Sequence, residues 1–157
     1  MLEPQPTEIT VRIVSCDAKI IGSLVGGCRI TIQHRVTGEV LAQGLHLGGS
    51  GDTESIMERP HKRGAVVYGT EGAAAYTARI LLTEPTPVEI IAEGPLAYPQ
   101  ALERASTSTW LIPGESVLGE GLILQLHGFI VDIMTPESVD VLHSGDEVHL
   151  QASIRLL

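Results

Sequence analysis

Apolar and polar residues alternate with a period of two along most of this chain, the spacing of a strand that buries one face. Ile9, Val11 and Ile13 share one parity and Thr10 and Arg12 the other, which predicts a first strand near 8–16. Cys28, Ile30, Ile32, His34 and Val36 point one way, against Arg29, Thr31, Gln33 and Arg35. Thr37-Gly38 then turns the chain into a second strand over 39–47. Centring that hairpin between 37 and 38 sets His34 near Leu41 and His46 near Arg29. Further strands are predicted at 65–69, 74–83 and 88–92, the last preceded by the proline turn Glu84-Pro85-Thr86-Pro87.

Helical periodicity is almost absent. The one candidate helix runs from Tyr98 to Ala105, with Pro99 in its first turn and good helix formers after it. Thr107 to Ile112 reads as a strand. Leu122 to Met134 reads as one long central strand bent near Gly128, and Ser144-Gly145-Asp146 turns into a final strand ending at Leu156. Eight or nine strands at intervals of about ten residues, with at most one short helix, predict an all-β antiparallel sandwich. No repeat or linker divides the 157 residues, so a single domain over 1–157 is expected.

Composition narrows the function classes. Aromatics make up 3% of the chain, so the core is aliphatic, and there are no rings to spare for stacking bases. Ten basic residues against nineteen acidic ones give a net charge of −9. Neither nucleic acid nor an anionic membrane is an expected partner. No run reaches the ~20 apolar residues of a membrane helix. The opening Met1–Glu8 has no basic and apolar leader pattern, which predicts a cytoplasmic protein. Cys16 and Cys28 read as unbridged thiols, and no cofactor or metal site is expected from their spacing.

Chemistry-bearing residues concentrate in 48–64, rich in glycine and charge between two sheet-forming stretches. Backbone N–H groups around Gly49 and Gly51 could form an anion-binding concavity. Asp52 and Glu54 would accept hydrogen bonds there, and His61, Lys62 and Arg63 would meet an anion or an acidic partner. An alternative reading makes Asp52 or Glu58 with His61 the acid–base pair of a small enzyme acting on an anionic metabolite. Gly49-Ser50-Gly51 is not a nucleophile elbow, because its glycine spacing is wrong and no helix follows. His143 and His149 flank the Gly145-Asp146 turn and could meet across it, though a pair at a hairpin mouth more often lies in solvent.

A second signal is apolar. Residues 87–96 and 122–134 are apolar on both parities, more than one short helix can cover. Ile130, Val131 and Ile133 are therefore candidate interface residues, and the favoured partner is protein, either another copy or a larger complex. The function expected is a non-catalytic binding or assembly module.

The succession Ile9–Ile13, Gly22–Gly27, Arg29–Val36, Gly38 and Gly48–Asp52 resembles the transthyretin-like folds, including the regulatory domains of carboxypeptidases. The stretch Ser144–Leu150 resembles the final hairpin of immunoglobulin-like modules. The insertion 55–64 departs from the first pattern. The resemblance implies a sandwich scaffold used mostly for interaction, and a fold of this kind does not settle function.

Overall fold

The computed structural model describes residues 3–16 and 19–157. Among these, nine strands form: β1 (Gln5–Val14), β2 (Cys28–His34), β3 (Val40–His46), β4 (Tyr76–Leu82), β5 (Thr86–Gly94), β6 (Glu103–Leu111), β7 (Val117–Gln125), β8 (Phe129–Thr135) and β9 (Gln151–Leu156). The fold is an all-β sandwich. One sheet has the order β4-β1-β7, the opposing one β3-β2-β5-β6, and β8-β9 is a separate two-stranded ribbon. Pairing is antiparallel except between β1 and β7, which run parallel.

Alternation builds the core as the pattern requires. Ile9, Val11 and Ile13 of β1 share one cluster with Cys28, Ile30 and Ile32 of β2 and Val88, Ile90 and Ala92 of β5. All nine are fully buried. An isoleucine or valine removed from water in this way contributes about 1.5–3 kcal/mol of transfer free energy.

Four features differ from expectation. Residues 65–69 form no strand. The candidate helix shrinks to one 3-10 turn, Pro99–Ala101, because Glu103 and Arg104 pair with Gly94 and Glu93 and so lengthen β6. Ladder pairing here outweighs the helix propensity of Leu102 to Ala105. Pro87 lies inside β5, opposite Trp110 of β6 and past the last β2 pairing His34↔Val88, a strand end where a missing N–H is tolerated. The apolar run 122–134 is two strands in different sheets, separated at Leu126–Gly128.

The chain between β3 and β4 makes a third layer. Isolated bridges Leu47↔Ala75 and Gly49↔Ala73 fold it back on itself. A small second cluster, Val14, Ile20, Ile56, Val67 and Ala74, seals it against the outer side of β1. Beneath it Arg12 is buried, its Nη1 donating to the Ala74 carbonyl at 3.0 Å and its Nη2 to that of Gly119 at 3.4 Å. No helix among the described residues is long and apolar enough to cross a membrane.

Candidate functional site

The 48–64 segment owes its glycines to close packing. A Cβ at Gly48 (φ 138°) would stand 2.7 Å from the Ala74 Cα, and one at Gly51 (φ 80°) 2.6 Å from the Ile56 Cδ1. Two amides of the expected concavity are already engaged: Gly48 N–H donates to the Ser23 hydroxyl at 2.9 Å and Gly49 N–H to the Gly72 carbonyl at 2.7 Å. Gly49 instead lines a largely apolar cavity of 430 Å³ with Ile20, Ile21, Leu24 and Val25.

The charged residues divide into local pairs. Asp52 accepts from Ser55 N–H at 2.9 Å, and hydrogen bonds from the Ser55 hydroxyl and amide hold its carboxyl below the usual range. Glu54 meets Arg59 at 2.7 Å across one π-helical turn, Glu54–Glu58. His61 Nε2 lies 2.9 Å from the Ser55 carbonyl, which can only accept, so the ring donates there. Asp52 and His61 thus hold two sides of one residue's backbone without touching each other, and no bond to Glu58 joins them among the described residues.

What these residues do build is a groove of 200 Å³ lined by Arg59, His61, Lys62, Ala65, Val66 and Val67. Its far wall is fixed by a residue the sequence did not single out. The Glu120 carboxylate receives N–H donors from Val67, Tyr68 (2.9 Å) and Gly69 (2.8 Å), a nest of three consecutive amides closed by a side chain of the same protein. The available signal was Gly119-Glu120-Gly121: both glycines have positive φ, 73° and 72°, and so re-aim the acid between them.

His46 stands elsewhere than the hairpin count placed it. The turn is centred between Val36 and Thr37, one residue earlier than counted, and a shift between Ile32 and Gln33 makes up only part of the difference; His46 therefore lies opposite Cys28 instead of Arg29, which turns it into the core. There Ile13 N–H donates to His46 Nε2 at 3.1 Å, leaving the proton of the neutral ring on Nδ1, which has no partner among the described residues. Burial pushes the imidazole down to about 4 and the neighbouring Cys28 thiol up to about 12. Cys16 and Cys28 are both free.

The apolar candidates separate as well. β5 is flanked on both edges and mostly buried, so 87–94 offers no docking surface. Ile130 is 1% exposed and belongs to the interior; a charge there would disrupt folding without probing contact. Val131 and Ile133 face the other way. Their cross-strand partners are Ile154 and Ala152, and Phe129 opposes Leu156, so one side of the ribbon carries six apolar side chains, all exposed. The opposite side rests on the 99–101 turn, through Gln100 Nε2 donating to Asp132 at 3.0 Å and Arg155 lying 4.9 Å over the Tyr98 ring. Beyond the ribbon, every residue from Glu137 to Leu150 is exposed, including His143 and His149. No group of three or more His, Cys, Asp or Glu among the described residues is placed to hold a metal ion.

Compared with known proteins, the chain matches no family model, no curated protein and no solved structure.

Proposed function

We propose that this chain is a non-catalytic assembly module that docks to protein through the outer side of the β8–β9 ribbon. The observation that carries the reading is the six-residue apolar face of Phe129, Val131, Ile133, Ala152, Ile154 and Leu156. It exposes on the order of 500 Å² of apolar surface, at the upper range for a monomer. A two-stranded ribbon is marginal in water by itself, and a covering layer would stabilise it. The groove at 59–67 adds a polar contact for an acidic partner. A small acid–base enzyme is less well served, because Asp52 and His61 are each engaged by Ser55.

The test is mass by light scattering at micromolar concentration. Wild type is expected to exceed the single-chain mass, and Ile133→Asp or Val131→Asp to return it to that mass with an unchanged circular dichroism spectrum. A wild type that stays a single chain, and that retains no partner, overturns the proposal.

A further inference from the structure

The segment that links β8 to β9 has a composition unlike the rest of the surface. Residues 136–150 hold four carboxylates, Glu137, Asp140, Asp146 and Glu147, and no lysine or arginine. Exposed Val139, Val141 and Leu142 lie between them, and Val148 and Leu150 follow. Two turns give this tip a defined shape: Glu137 N–H donates to the Asp140 carboxylate and His143 N–H to that of Asp146, each at 2.7 Å. Glu137 and Glu147 form no ion pair among the described residues. The tip is an acidic and apolar arm at the end of a greasy ribbon.

The groove at 59–67 has the opposite character. Arg59 and Lys62 line it and Arg63 follows them outside the lining, so three of the ten basic residues of the chain fall within five positions. Arg59 is held by Glu54, while Lys62 and Arg63 form no ion pair among the described residues. Apolar surface accompanies the charge: Ala65, Val66 and Val67 line the groove, and Val66 and Met57 stand 60% and 46% exposed. The Glu120 nest fixes the wall, so little ordering is needed when a partner enters. In a chain of net charge −9, the unpaired Lys62 and Arg63 offer an acidic segment two cations that no carboxylate holds among the described residues.

We infer that the arm of one copy docks into the 59–67 groove of a second copy, head to tail. This rests on the assembly reading above and names its partner and geometry. Donor and acceptor are different surfaces of the same chain, so the contact is heterologous; each copy can give one arm and receive one. Such contacts close into a ring or run on as a filament, whereas ribbon-on-ribbon packing stops at a two-fold dimer.

Complementation separates these outcomes. Glu137→Lys with Glu147→Lys reverses the arm, and Lys62→Glu with Arg63→Glu reverses the groove; all four residues are exposed, so the fold is expected to survive. Each variant alone should associate about tenfold more weakly or worse, through like charges set face to face. Mixed in equal amounts they should assemble again with the two variants alternating, because the intact arm of one meets the intact groove of the other and the reversed arm meets the reversed groove. Wild-type assembly should also weaken as salt is raised. Two results overturn the inference while sparing the assembly reading: either both variants keep the wild-type mass while Ile133→Asp becomes a single chain, or the two variants dissociate but fail to recombine. A wild type that is a single chain throughout removes both.

Discussion

A neutral imidazole buried with one nitrogen committed to a backbone amide makes His46 a source of pH dependence. Its ordinary value of 6.5 falls to about 4 in the folded protein. Between those limits the unfolded chain binds a proton that the folded one does not, so stability rises with pH across this window. The contribution is complete above about pH 6.5 and is lost as pH falls towards 4, a change of roughly 3 kcal/mol. Urea melts at steps through that range should show the loss. His46→Leu should flatten this part of the profile while lowering stability at neutral pH, where Ile13 N–H loses its acceptor. A profile unchanged by the substitution would mean that other groups govern the acid limb.

Elements were legible where burial on one face repeats over several residues. The parity of Ile9–Ile13 and of Cys28–Ile32 located β1 and β2 and their inner faces, because successive side chains in a strand point to opposite faces. Register was not legible. Counting from the Thr37-Gly38 turn placed His46 one residue away from its true partner, and in a strand one residue exchanges inside for outside. The pairings inside the charged loop were not legible for a related reason. Nothing local announces that Gly48 and Gly49 N–H are taken by Ser23 and Gly72, or that Asp52 and His61 both serve Ser55. The bend in β7 can be tested at this scale through a matched pair. Gly119 and Gly121 both have positive φ, and alanine at either should cost about 1–2 kcal/mol of backbone strain. A Cβ at Gly119 meets nothing within 4 Å, while one at Gly121 runs into the Thr10 carbonyl. Thermal or urea unfolding should therefore rank Gly121→Ala as the more damaging, and equal losses would contradict the close approach.

At the scale of the molecule, the proposed assembly through the apolar ribbon and the basic groove predicts that stability depends on concentration. Partners that bind only the folded state raise its melting temperature by mass action. The wild-type transition should rise with protein concentration, and Ile133→Asp should remove that rise without lowering the transition of the dilute protein, since the side chain is 70% exposed. The all-β class was legible from composition and period alone. The surface that matters was only half so: the apolar run containing Ile130, Val131 and Ile133 drew notice, but only the pairing with Ala152, Ile154 and Leu156 separates the buried residue from the exposed ones.

The parallel pairing of β1 with β7 has a bearing on how the protein is made. Ile13 lies beside Leu124, so the three-stranded sheet cannot be completed until most of the polypeptide has left the ribosome. The β2–β3 hairpin, whose strands are near neighbours in sequence, can form long before then. A nascent chain therefore holds its first strand with one edge unfilled for much of synthesis, and long-range closure of this kind is slow. Any step that delays emergence of Val117–Gln125 would prolong the interval in which that edge can capture the wrong neighbour.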